Sequence, residues 1–393
     1  MHFSRRVSQI EVSAIKRMPL LAAEVGGCVS LGQGIPSFPT PSHVVEAVFR
    51  ACREESWAGK YSLQPGLPEL RQATAVFLRD EKGIELDPNT EVGITAGAME
   101  ALLAAFLTVV EQGDEVIVVD PTYEPHVEQI LLAEGIPVFV PLKRVDWSLD
   151  LEAVERVITE RTKAIVLCNP ANPTGRVFSD DEVRALAYLA QERDLWLISD
   201  ETYEHLVYEG PAPLSPAAID GMRDRVISVF SFSKKYAMTG WRVGFVAASA
   251  GIMAQLMKIH DSAVICAPTP SQLAALAALS GPQEVVGEMR QALAQRRELV
   301  CRRLDELDWA FSYIKPQGAY YLMARYHFTK VASWELAVRL IHEAKVITVP
   351  GSSFGPSGEG HLRLSFGGDE AELNEAFDRL AGWLGYNFKK TLD

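Results

Sequence analysis

Cysteine is scarce and scattered. The chain has five in 393 residues, Cys28, Cys52, Cys168, Cys266 and Cys301, odd in number and without a C-x-x-C pair. That pattern excludes a disulfide framework or a cysteine zinc site and points to a reducing compartment, the cytoplasm. The eight histidines show no metal-ligand spacing, so no metal is expected. No apolar run approaches the about 20 residues of a membrane span; the longest, Ala101 to Val110, reads as a buried helix. The first twenty residues lack the apolar core and cleavage pattern of a secretory signal, so none is expected. Basic charge is in deficit. Against 51 Asp and Glu stand 38 Lys and Arg, a net −13 that argues against nucleic acid or a membrane surface as partner. Repeats, low-complexity tracts and a P-loop are also missing, and Gly32-Gln33-Gly34 lacks the remaining glycine of a dinucleotide fingerprint.

What is present is a core-forming chain, 48% hydrophobic and 23% charged. Short β-branched runs alternate with longer helical patterns, which predicts α/β architecture with a mostly parallel sheet. Val116–Val119, Ala164–Leu167 and Leu195–Ile198 are apolar throughout, as strands covered on both faces require. Each ends in chemically distinctive residues: Asp120-Pro121-Thr122-Tyr123, Asn169-Pro170-Ala171-Asn172-Pro173 and Asp200-Glu201-Thr202-Tyr203. Ligands of open α/β sheets bind beyond the carboxyl ends of the strands, so these tails should converge. A charged helical pattern from Gln283 to Leu307 reads as the connector to a smaller C-terminal domain. There Trp334–Ala344 is expected as a helix and Val346–Val349 as a strand. Gly32, Gly34, Pro36, Pro39 and Pro41 make the N-terminal arm a loop rather than a core element.

One segment carries the most chemistry. The run Val226–Phe230 reads as a buried strand, and Ser231-Phe232-Ser233-Lys234 follows it, then Gly240, Trp241, Arg242 and Gly244. A lysine at a strand end can form a Schiff base, and a nearby serine and arginine can hold a phosphate. These are the parts needed to hold pyridoxal phosphate. Taken together with Asn172, Asp200 and the segment from Leu31-Gly32-Gln33-Gly34 to Arg363-Leu364-Ser365, the chain resembles a class I/II aminotransferase, a pyridoxal-phosphate enzyme of the aspartate aminotransferase superfamily (fold type I). The likeness covers most of the chain.

The resemblance implies a fold and a set of roles. The fold is a large domain (46–282) with a seven-stranded, mostly parallel sheet flanked by helices. A smaller α+β part is made by the N-terminal arm (1–45) and the connecting helix with the C-terminal domain (283–393). Lys234 is the Schiff-base lysine and proton carrier; Lys235 is its rival, but only Lys234 has Ser231 three residues before and Arg242 eight after. Such a base needs a lowered pKa, from burial and a neighbouring cation. Asp200 pairs with the pyridine nitrogen, and Tyr203 and Asn172 donate to the phenolic oxygen. Tyr123 stacks on the ring. Gly97, Ala98 and Met99, opening a helix after the expected strand Val92–Thr95, offer backbone N–H groups to the phosphate, beside Ser231 and Arg242. Ala98 and Met99 stand where some relatives carry hydroxyls, so only their main chain can serve. Tyr61 reaches the phosphate from a second subunit, implying a homodimer. Arg363 clamps the substrate carboxylate, which Gly34 approaches through its backbone. The reaction is transfer of an amino group from an L-amino acid to a 2-oxo acid, with 2-oxoglutarate as the expected acceptor. The donor is left open among aspartate, aromatic, glutamine or kynurenine, and alanine.

Two other readings are weighed. Gly351-Ser352-Ser353-Phe354-Gly355 fits the G-x-S-x-G pattern of a hydrolase elbow. Pro356, Gly358 and Gly360 oppose the helix that must follow, and the partner acid and histidine would have to lie downstream in that order, yet the last histidine is His361. The hydrolase is rejected. A carbon–sulfur β-lyase using the same cofactor is the alternative, although Ala237-Met238-Thr239-Gly240-Trp241-Arg242 is more similar to transaminases.

Overall fold

Continuous apolar runs bounded by turn residues form the strands of the main sheet in a computed structural model, which describes residues 2–388. After a short arm strand, β1 (Val29–Ser30), come β2 (Val92–Thr95), β3 (Glu115–Asp120), β4 (Ile136–Pro141), β5 (Thr162–Cys168), β6 (Trp196–Asp200), β7 (Val226–Ser231) and β8 (Gly244–Ala247). The last seven make one sheet in the order β2-β8-β7-β6-β5-β3-β4, parallel except for β8, which runs against both neighbours. Alternate residues of each run enter opposite cores. Ile117, Val119, Ile165, Leu167 and Leu197 pack with the helix Asp180–Glu192. Val116, Val118, Ala164, Val166 and Ile198 pack against the helices Ala98–Val109 and Ala250–Val264. Burial on both faces explains the unbroken hydrophobicity, and each buried Val, Leu or Ile side chain contributes about 1.5–3 kcal/mol.

The C-terminal part builds a second, antiparallel sheet from β9 (Phe311–Tyr313), β10 (Tyr321–Tyr326), β12 (Val349–Pro350) and β13 (His361–Ser365), in the order β12-β13-β10-β9. Helices Glu284–Asp305 and Glu370–Asn387 supply Leu293, Val300, Phe377 and Leu380 to its core.

Three expectations change. The N-terminal arm is not all loop: Ala14–Val25 is a helix that buries Ala14, Met18 and Ala22 at a four-residue spacing. That one-sided stripe outweighs Pro19, which loses a single backbone bond on the exposed face. The run Val346–Val349 is divided. β11 (Val346–Ile347) pairs in parallel with β1, whereas β12 pairs with β13, so the arm and the C-terminal part are joined through one short segment. The helix from Ser333 ends at Arg339 and continues through Leu340–Ala344 as a π-turn. Beyond β12, Gly351–Phe354 and Pro356–Gly358 are 3₁₀ turns, so no hydrolase elbow forms at Ser353. Among the described residues, no helix is long and apolar enough to cross a membrane. All five cysteines are free thiols.

Candidate active site

The strand order reverses between β3 and β5, the place where an open α/β sheet leaves a crevice at its carboxyl edge. Asp120, Cys168, Asp200 and Ser231 end four adjacent strands there, and the turn after Thr95 opens on the same edge. The tails that looked distinctive in the sequence therefore converge.

Beyond Ser231 the chain enters one helical turn, Phe232–Lys235, with the Ser231 hydroxyl accepting from the Ser233 amide at 3.1 Å. Lys234 Nζ donates to the Gly34 carbonyl at 2.5 Å. Burial, and then the charges of Arg363, Arg242 and Lys16, lower its pKa to about 7. A desolvated ammonium among cations favours the neutral amine. Lys235 leaves the crevice: its Nζ meets Glu204 at 3.0 Å and lies 4.1 Å from the Phe77 ring centre.

Asp200 is buried at the end of β6. Its Oδ2 lies 3.1 Å from His126 Nε2, and its Oδ1 accepts from the Thr202 amide at 3.1 Å. Burial alone would raise its pKa. The hydrogen bond and charge of His126, with the Thr202 donors, win and hold the carboxyl below the usual range. His126 is itself buried, with Nδ1 at 3.2 Å from the Thr122 hydroxyl. Tyr123 stands edge-on to His126, ring centres 5.5 Å apart, and its hydroxyl reaches Met99 Sδ at 3.8 Å.

Gly97 precedes the helix Ala98–Val109 with φ at +88°. A Cβ there would sit 2.7 Å from Arg242 Nη2, so glycine lets the guanidinium come up to the helix start. The first-turn amides have no acceptor within the helix. Arg242 gives one donor to Thr239 O at 3.0 Å and makes no ion pair among the described residues. A helix N-terminus, an unmatched guanidinium and the Ser231 hydroxyl form an anion cradle.

On the opposite wall Arg363, on β13, is only 1% exposed. It donates to Asn172 Oδ1 at 3.2 Å and to Gly32 O at 2.7 Å, and its Nε has no partner. Tyr321 and Phe354 flank the guanidinium at 4.4 and 5.0 Å. No carboxylate pairs with it among the described residues, so a buried positive charge is left for an incoming anion. Gly34 faces the same space: a Cβ would lie 2.8 Å from Tyr321 Oη. Tyr203 Oη and Tyr321 Oη are 3.0 Å apart, and Tyr320 donates to Gly34 O at 2.9 Å.

The fold thus gathers Lys234, Asp200, Tyr123, Tyr203, Asn172, Ser231, Arg242, Gly97–Met99, Gly34 and Arg363 around one crevice. Tyr61 is not gathered. It is 78% exposed, on a loop tied down by Thr269 to Lys60 O at 2.6 Å and by Gln272 to Ser62 at 2.8 Å. Sequence reasoning missed His126, Tyr320, Tyr321 and Lys16. For His126 a signal existed: it falls three residues after Tyr123, one helical turn on, and so shares its face. The adjacent pair Tyr320-Tyr321 carried no comparable signal.

This arrangement fits an anionic, amine-binding aldehyde cofactor: a near-neutral lysine, a buried carboxylate kept ionised, an anion cradle and an unmatched arginine surround one space. The chain belongs to the aminotransferases of class I and II, whose family model matches residues 27–380. It is 38% identical over 383 residues to an aspartate aminotransferase of Pyrococcus abyssi, covering 97% of each chain. To aromatic-amino-acid aminotransferase 2 of Thermococcus litoralis it is 36% identical, again over 97% of each. Its fold superposes on the aspartate aminotransferase of Thermus thermophilus with maleate at a TM-score of 0.92, with 35% identity over 98% of this chain and 100% of the other. The enzyme is a pyridoxal-phosphate transaminase, and its relatives favour amino transfer over the carbon–sulfur lyase.

Proposed function

We propose that this chain moves the amino group of an acidic or aromatic L-amino acid to 2-oxoglutarate, using the crevice residues in the following roles. When bound, pyridoxal phosphate supplies an aldehyde that links to an amine and a ring that withdraws electrons from the substrate's α-carbon. Ser231, Arg242 and the amides of Ala98 and Met99 hold the phosphate. Asp200, kept ionised by His126, balances a protonated ring nitrogen. Tyr123 covers the ring, and Tyr203 and Asn172 donate to its phenolic oxygen. Arg363 binds the substrate carboxylate, with the Gly34 backbone alongside. Lys234 would act as the base that carries the proton off the substrate's α-carbon, which requires an amine neutral near pH 7.

One juxtaposition carries this reading: an amine lowered to about 7 beside a buried guanidinium with no carboxylate partner. The names of the relatives support the donor class, since they are aspartate and aromatic aminotransferases. A donor panel assayed for glutamate formation from 2-oxoglutarate tests it. Turnover with aspartate or an aromatic amino acid is expected. Pyruvate release from a cysteine conjugate without any acceptor, and no glutamate, contradicts it.

The same reading makes 46–282 the cofactor-holding body, while 1–45 and 283–393 bring Gly34 and Arg363. It also makes the enzyme a cytoplasmic homodimer. Exposed Phe49, Trp57, Tyr61, Leu63 and Ile265 support a covered apolar surface. In mixed dimers of Lys234→Ala and Tyr61→Ala chains, one site in each hybrid regains both residues, so activity returns to roughly a quarter of wild type. No recovery on mixing contradicts shared sites.

A further inference from the structure

A cleft of about 350 Å³ lies between the loop after β4, the strands β9 and β10, and the start of β13, and it shares no residue with the active site. Arg144, Arg325, Lys330 and His361 line it, with Trp147 and Tyr313 among its apolar surfaces. Cations in a chain of net charge −13 are surrounded by an excess of acids. Yet Arg144, Arg325 and Lys330 make no ion pair and no side-chain hydrogen bond among the described residues.

The one carboxylate on the wall is already engaged. Glu359 accepts from the Ser333 amide and hydroxyl at 2.8 Å each, from the Gly360 amide at 3.0 Å and from Tyr326 at 3.3 Å. It therefore does not serve the arginines. Arg325 sits directly opposite His361 across β10 and β13, and the His361 ring lies 5.6 Å from that of Trp147. Burial lowers the His361 pKa, and Arg325 and Arg144 lower it further while the Glu359 and Gly358 backbone opposes. The fields of both arginines thus reach one point in the cleft.

We propose that this cleft binds an organic anion with an aromatic body, its acid group held by Arg144 and Arg325 and its ring against Trp147 and Tyr313. Guanidinium forks match the planar geometry of a carboxylate, and flat aromatic surfaces favour a flat ligand. The volume falls in the range of small-molecule sites. Two residues along the same strand pair, Met323 opposes Arg363, so the cleft and the carboxylate clamp are built on one ladder.

Phthalate, which has neither an α-amino nor an α-oxo group, and inorganic phosphate are suitable probes, titrated calorimetrically into the holoenzyme. Phthalate should bind wild type and Arg363→Ala alike and weaken roughly tenfold or more in Arg144→Gln/Arg325→Gln. Arg325→Gln alone should give an intermediate loss, with turnover kept in both variants. Phosphate, unable to use the apolar surfaces, should bind more weakly than phthalate. Phthalate binding unchanged in the double variant, or lost in Arg363→Ala, or undetectable in wild type, overturns the proposal. So does phosphate binding as tightly as phthalate.

Discussion

Lys235 Nζ lies 3.0 Å from Glu204 Oε1, and this ion pair turns Lys235 away from the crevice that its neighbour Lys234 enters. Lys82 holds the other carboxylate oxygen at 3.2 Å. Burial opposes ionisation of Glu204, but the two lysines bring its pKa down to about 2. Two adjacent lysines therefore have separable tasks. Lys234→Ala is expected to abolish turnover. Lys235→Ala should keep most activity while lowering stability by about 1–3 kcal/mol, less than a full buried-pair loss because Lys82 remains. Steady-state rates and thermal unfolding of both variants check this, and the opposite pattern of activity contradicts it.

Titration of Lys234 gives a second expectation. With a pKa lowered to about 7 from 10.5, the apoenzyme amine is neutral above about pH 7. Its labelling by trinitrobenzenesulfonate, followed by peptide mapping, should rise with a midpoint near 7. In Arg363→Met one opposing charge is gone, so the midpoint should move up. The stability linkage has a definite sign. The unfolded lysine holds its proton up to 10.5, so unfolding takes up a proton between about 7 and 10.5. This group's penalty is full below 7 and fades as pH rises through that window. A midpoint near 10.5 would refute the depressed value.

His126 should matter through Asp200 rather than by touching substrate. Without His126, burial acts on the carboxylate with only Thr202 to oppose it, and the Asp200 pKa rises. His126→Leu should cost roughly 10- to 150-fold in kcat, the range of one charge-assisted hydrogen bond. Its loss should grow at lower pH, because a protonated Asp200 no longer balances the ring nitrogen. His126→Gln, which can still donate, should recover part of the activity. Equal losses for both variants at every pH point to packing alone.

Gly97→Ala tests the anion cradle. Its φ of +88° strains any side chain, and the added Cβ meets Arg242 at 2.7 Å. Backbone strain of about 1–3 kcal/mol is expected, together with displacement of the guanidinium. Pyridoxal phosphate should dissociate faster on dialysis, read by loss of its absorbance, while Arg363-dependent KM changes little. Unchanged cofactor retention would place the phosphate elsewhere.

Much of this was legible in the chain before the structure, and the reasons are physical. Doubly buried strands must be apolar at every position, so Val116–Val119 and Ala164–Leu167 announced themselves. The tails after Leu195–Ile198 and Ala164–Leu167 carried Asp200 and Asn172, and the family resemblance supplied their roles. The arm helix Ala14–Val25 was hidden because Pro19 and the glycine- and proline-rich stretch after it read as loop. The run Val346–Val349 was split by pairing with two different sheets, a tertiary choice that a four-residue apolar string does not encode. His126, Tyr320 and Tyr321 serve the site through contacts that only the fold creates.

The most direct measurement is chemical. Borohydride reduction of the holoenzyme, followed by proteolysis and mass mapping, should place a single cofactor-derived label on Lys234. A label on Lys235, or no labelled peptide spanning the two, would contradict the account.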